Sequence, residues 1–141
     1  MCGRFVSASS PERIAAYFGA APPTESGVES LGENYNVAPT NDIYGVVADA
    51  DGTLEVQVFH WGLIPVWAKE RKIGQKMINA RAETIAEKAA FKGVFRKHRC
   101  IIPMDGFYEW AAGADGGPMT KAGKLVKRPH FIHRVDGEPL A

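Results

Sequence analysis

The chain has 141 residues, 45% of them apolar, and a formal net charge of +1, a size that supports one domain burying about 70% of its unfolded surface. So small a charge excludes nucleic-acid binding through bulk electrostatics and leaves room only for a local basic groove. Two cysteines, Cys2 and Cys100, without a Cys-x-x-Cys pair, exclude a disulfide-stapled secreted scaffold and a zinc ribbon, and no apolar run approaches the ~20 residues needed to span a bilayer.

Residues Cys2 to Ser7 read as a short extended segment. Ser9-Ser10-Pro11-Glu12 offers a Ser cap and a Pro at the first helical position, and Ile14, Tyr17 and Phe18 repeat on one face until Gly19 ends the helix. Residues 20–32, rich in Pro, Gly, Ser and Glu, are expected to form a surface loop. Asn34 to Thr40 reads as irregular, with Pro39 pushing Ala38 toward an extended backbone. Ile43 to Ala48 and Thr53 to His60 flank an Asp51-Gly52 turn signal and predict an antiparallel hairpin.

Trp61 to Trp67 is apolar but broken by Gly62 and Pro65, which predicts a loop carrying aromatics, with Trp61 in the core. Lys69, Arg71, Lys72 and Lys76 follow. In Met77 to Glu83 an extended chain would put Asn79, Arg81 and Glu83 on one side. A helix is expected from about Thr84, with Phe91, Val94 and Phe95 at helical spacing and a basic, solvated face between Lys92 and Arg99. A turn at Asp105-Gly106 leads to a strand at Phe107 to Trp110; a Gly-rich loop spans Gly113 to Lys124, and Pro129 to Val135 resumes as strand. His130 and His133, three apart in a strand, face opposite sides, and His60 and His98 have no partner by spacing, so neither a metal nor another cofactor is expected.

The chemistry concentrates at the start. A small second residue favours removal of the initiator Met, which leaves Cys2 with a free α-amine whose pKa near 7.7–8.0 keeps roughly 10–20% neutral at pH 7. That amine can attack an aldehyde to give a Schiff base, and the thiol of the same residue can close a five-membered thiazolidine. From position alone, Cys2 reads sooner as a small buried residue.

Met1-Cys2-Gly3-Arg4, Tyr35-Asn36-Val37-Ala38-Pro39, Trp61-Gly62-Leu63-Ile64-Pro65-x-Trp67, Ile78-Asn79-Ala80-Arg81-Ala82-Glu83-Thr84 and Asp105-Gly106-Phe107-Tyr108-Glu109-Trp110 occur in that order. The set resembles the SRAP family, the SOS-response-associated peptidase domains also called abasic-site processing proteins, from Met1 to about Val135. The resemblance implies a covalent thiazolidine between the processed Cys2 and the ring-opened aldehyde of an abasic site in single-stranded DNA. It implies Asn79 at the reaction site and Glu109 assisting proton transfer. Arg4, Asn36, Pro39, Trp67 and Arg81 are the expected DNA-binding residues, cations for phosphates and a flat ring for unpaired bases.

The resemblance also implies a single α+β domain over residues 2–141, with a mainly antiparallel, barrel-like sheet and peripheral helices, incomplete at its C-terminal end. A family His in that further portion has no counterpart here, and Ala68 stands where some members carry a second aromatic. The chain is expected to act as a monomer in the cytoplasm on damaged DNA, with no membrane partner. Two alternatives use the same residues differently: a peptidase with Cys2 as N-terminal nucleophile that removes its own Met1, and a non-covalent single-strand nucleic-acid binding module relying on Trp67 and Arg81.

Overall fold

A computed structural model describes residues 3–21, 30–113 and 117–141. Cys2, the centre of the expected chemistry, lies outside the described residues, as do 22–29 of the first loop and 114–116 of the second.

The first strand, β1 (Phe5–Ser7), is buried along its length. It runs into helix α1 (Pro11–Phe18), whose start follows the caps: Ser10 is the N-cap, its hydroxyl accepting from Arg13 N at 3.3 Å, and Pro11 takes the first turn. Gly19 closes the helix in the left-handed region at φ 65°, where a Cβ would be strained. The buried face is Pro11, Ile14 and Ala15, with Phe18 alongside; Tyr17, expected on that face, is exposed.

Strand β2 (Asn34–Val37) replaces the irregular segment expected there. Its pairing with β1, Phe5 opposite Val37 and Ser7 opposite Asn34 with a shift between them, supplies partners that sequence spacing did not reveal. The predicted hairpin forms as β3 (Asp42–Ala48) and β4 (Leu54–His60), in register from Asp42↔His60 to Ala48↔Leu54. Asp49 Oδ1 accepts from Asp51 N and Thr53 N at 2.9 and 2.8 Å, which folds the turn around the Asp-Gly pair. Strands β5 (Gly106–Ala111) and β6 (Arg128–Ile132) pair antiparallel, and β6 ends before the expected Val135.

These strands make a four-stranded sheet in the order β2-β1-β5-β6 and a separate two-stranded β3-β4 sheet. The expectation of an α+β chain with mainly antiparallel pairing holds, but the barrel-like closure does not. A barrel needs an unbroken ring of paired strands; here β2 and β6 are the outer strands of one sheet, while among the described residues the β3–β4 hairpin is linked to the rest by isolated bridges alone, Val46 with Ile101 and Glu55 with Ala21.

Two small cores hold the layers together. Ile14 and Ala15 of α1 pack on Tyr44, Val46 and Val56 of the hairpin. On its other side Ile43 joins Phe5 and Val37, with Phe59, Trp61, Ile102, Met104 and Phe107 around them. The hairpin is thus clamped between helix and sheet, which explains the unbroken burial of Ile43 to Val46. A polar clasp ties β1 to the entry of β5: Asp105 accepts from Ala8 N (2.6 Å), Ser9 N (2.9 Å) and Ser9 Oγ (2.5 Å). Burial pushes the Asp105 carboxyl up, but these hydrogen bonds and the nearby Arg13 charge outweigh it and hold the group below its ordinary value.

Residues 61–99 differ in character. They contain a 3₁₀ turn, Arg71–Lys76, and a short helix α2 (Lys92–Lys97). The helix expected from Thr84 is a series of separate turns up to Phe91. No residue of α2 is buried, so packing adds little to the marginal propensity of a short helix. Met77 to Arg81 forms no strand, and Asn79, Arg81 and Glu83 are all exposed.

Candidate functional site

At the start of β1 three of the motifs are joined. Arg4 Nη1 donates to Asn36 Oδ1 at 3.0 Å, joining the first motif to the second. Tyr108 N donates to the Arg4 carbonyl at 3.0 Å, and the Tyr108 hydroxyl donates to the Tyr35 carbonyl at 3.1 Å, so β5 is fastened to the same place. Phe5 and Val37 face the core, which puts Arg4 and Asn36 on the opposite face of the sheet.

Glu109 follows Tyr108 on β5, half-buried and opposite His130 of β6. Alternation along the strand places it with Phe107, on the core side rather than the Arg4 side. Asn79 is exposed and lines an open, largely apolar cavity of about 530 Å³ together with Phe5, Trp61 and Ile102. The predicted residues therefore divide between two faces, Arg4 with Asn36 on one and Asn79 beside Phe5 on the other, and the first residues of β1 belong to both.

The turn after β2 carries Pro39. Asn41 N donates to the Ala38 carbonyl at 3.1 Å, and Thr40 sits at φ 76°, an uncommon conformation for a β-branched residue. It is held by Thr40 N donating to the Trp61 carbonyl at 2.9 Å and Trp61 N donating to the Asn41 carbonyl at 3.0 Å. The turn that carries Pro39 is thereby bonded to the Trp61 loop. Trp61, expected in the core, is partly buried against it, its ring 5.3 Å from that of Phe5 and its Nε1 donating to the Ile78 carbonyl at 3.1 Å.

That last bond belongs to a strap between the Trp61 loop and the segment leading to Asn79. Leu63 N donates to the Met77 carbonyl at 3.1 Å, and Gly62 lies so close to Gly74 that a Cβ on it would stand 2.6 Å from the Gly74 oxygen. Only glycine fits, because Gly62 is also at φ 132°. Further along, Trp67 projects into solvent at 59% exposure, and Arg81 is exposed, its carbonyl accepting from Thr84 N at 3.2 Å. Tyr35, Tyr108 and the two strap glycines were not singled out from sequence; Tyr35, Tyr108 and Gly62 lie inside the quoted motifs, and Gly74 lies outside them.

Cys100 lines the same cavity as Asn79, and burial pushes its thiol up, which keeps it protonated and a poor nucleophile at neutral pH. Among the described residues no group of three His, Cys, Asp or Glu side chains is arranged to hold a metal, and no helix is long and apolar enough to cross a membrane.

Comparison with known proteins places this arrangement. The abasic site processing protein YoaM of Bacillus subtilis is 46% identical over 110 residues, 78% of this chain and 47% of that protein. The abasic site processing protein YedK of Escherichia coli is 32% identical over 99% of this chain and 57% of its own length. The chain thus spans about half the length of the curated relatives it matches. A crystal structure of a protein from Bacteroides thetaiotaomicron superposes with a TM-score of 0.72 at 30% identity, covering 98% of this chain and 56% of that one. A second, from Bordetella bronchiseptica, gives 0.66 at 26% identity, with 98% and 60% covered. The model of the SOS response associated peptidase (SRAP) family matches residues 1–141, and the chain belongs to that family.

Proposed function

We propose that the chain traps abasic sites in single-stranded DNA through its second residue. Once Met1 is removed, the α-amine of Cys2 adds to the C1′ aldehyde of the ring-opened sugar and water leaves as the imine forms. The Cys2 thiol then adds across the C=N bond, its proton passing to nitrogen, and closes a thiazolidine. Aldehyde and aminothiol thus combine with loss of a single water and no change of oxidation state.

The observation that carries this reading is the joining of three motifs at the start of β1. Arg4, two residues after Cys2, is bonded through its side chain to Asn36 and through its carbonyl to Tyr108, the neighbour of Glu109. In this reading Arg4 and Asn36 hold a phosphate, Asn79 holds the opened sugar, and Trp67 and Arg81 hold the flanking strand while Pro39 shapes the groove. Glu109 relays protons to and from the Cys2 amine, a task suited to a half-buried carboxylate. The names of the relatives, abasic site processing proteins, support the substrate class. Hydrolytic removal of Met1 is the peptidase activity that the same cysteine would perform first, in keeping with the family description.

A uracil-containing single-stranded oligonucleotide treated with uracil glycosylase supplies the substrate. The expected result is a protein–DNA band that survives denaturation and disappears in Cys2→Ala. Its persistence in that variant would exclude the thiazolidine, and its absence from the unaltered protein would leave a non-covalent binding module.

A further inference from the structure

The loop that carries Trp67 begins in the Asn79 cavity and ends in a second one. Trp61, Gly62, Leu63 and Ile64 line the first. The other, an open groove of about 510 Å³, starts at Trp67 and Ala68 and continues over the 3₁₀ turn. Lys69, Lys72 and Lys76 line it around an apolar floor at Ile73, and Glu70 is the one carboxylate in the lining. All three lysines are exposed, and Trp67 offers an open ring at the groove's edge.

An exposed aromatic face beside a short row of ammonium groups is the pairing that single strands require, a base stacked on the ring and the following phosphates on the cations. Gly62 against Gly74 and Leu63 against Met77 tie the start of the Trp67 loop to the turn that carries Lys72 and Lys76, so ring and cations sit on joined backbone. The volume lies within the range of built ligand sites.

We infer that Lys69, Lys72 and Lys76 form the phosphate track for the undamaged nucleotides flanking the lesion, taking the strand as it leaves the Asn79 cavity over Trp67. This rests on the reading of the Asn79 cavity as the reaction site. It makes binding of intact single-stranded DNA depend on a cluster that the motif residues do not include, and it separates strand capture from covalent chemistry.

The test is fluorescence anisotropy with a labelled, unmodified single-stranded oligonucleotide of about 16 nucleotides, the upper end of site sizes for small single-strand binding domains. The triple variant K69A/K72A/K76A is compared with K69R/K72R/K76R and with K121A/K124A/K127A, which removes the same charge from an exposed segment elsewhere. The alanine variant is expected to bind roughly tenfold to a hundredfold more weakly, with the slope of log affinity against log salt reduced by about 2; the arginine and remote variants should match the unaltered protein. Unchanged affinity in K69A/K72A/K76A, failure of arginine to restore it, or an equal loss in the remote variant would overturn the assignment. With abasic DNA at saturation, the alanine variant should reach the same crosslinked endpoint. An unaltered protein that binds through these lysines yet forms no crosslink would instead count against the covalent reading.

Discussion

The clamped hairpin and the segment from Trp61 to Arg99 are built on different principles. In the first, each β3 residue has a β4 partner, and the helix and sheet bury both faces of β3 from Ile43 to Val46. In the second, secondary structure is short, α2 buries nothing, and shape comes from a few backbone contacts between distant positions. Pairing and burial fix the first region, which contributes Ile43, Phe59 and His60 as a wall of the Asn79 cavity. The second keeps Trp67, Asn79 and Arg81 exposed at the cost of local stability, as binding segments commonly do.

The sharpest way to break the clamp is Ile14→Ala. Ile14 is 1% exposed between α1 and the hairpin, and its truncation is expected to cost about 3 kcal/mol, read from urea unfolding, because the helix closes only partly on the cavity. A loss below about 1 kcal/mol would show that α1 is not part of the cooperative core.

Next in size, Gly62→Ala attacks the other region. A Cβ 2.6 Å from the Gly74 oxygen must displace backbone, and the expected penalty is about 2 kcal/mol. The variant should also weaken binding to intact single strands, since it shifts Trp67 against the lysine groove. Normal binding in a folded Gly62→Ala protein would show that the strap positions nothing.

Asp105→Ala removes three acceptor contacts that join β1 to β5, at an expected cost of about 2 kcal/mol after allowing for partial solvent screening. Because the folded carboxyl is held below its ordinary value, its contribution is complete above the unfolded pKa of about 3.9 and fades as pH falls through the lowered folded value. Unfolding followed from pH 6 downward should therefore show an acid-labile component that Asp105→Ala lacks; identical acid profiles would contradict it.

The smallest stability change belongs to Trp67→Ala. The ring is mostly in solvent, so unfolding should move by less than about 0.5 kcal/mol. Affinity for single strands should fall by about 1–3 kcal/mol. The reverse pattern would make Trp67 a packing residue.

The same contrast separates what was legible in sequence from what was not. The Ser10 cap, Pro11, Gly19 and the Asp51-Gly52 turn are local signals, and α1 and the β3–β4 hairpin formed within a residue or two of expectation. Strand β2 was missed because its regularity comes from pairing with β1, some thirty residues away. The helix from Thr84 was overcalled because spacing reports a potential apolar face and says nothing about whether a surface exists to cover it. The motifs carried the family without carrying their own geometry: nothing in Arg4 or Asn36 taken singly announces their hydrogen bond, and alternation alone would not divide Glu109 from Arg4 without the register of β1 on β5.

The central claim concerns one terminal residue, and intact-mass spectrometry of the covalent product tests it most directly. The account predicts a mass equal to the chain without Met1 plus the abasic oligonucleotide, less one water, with peptide mapping placing the link on Cys2. A crosslinked product that retains Met1, or a link mapped to Cys100 or to a lysine, would contradict it.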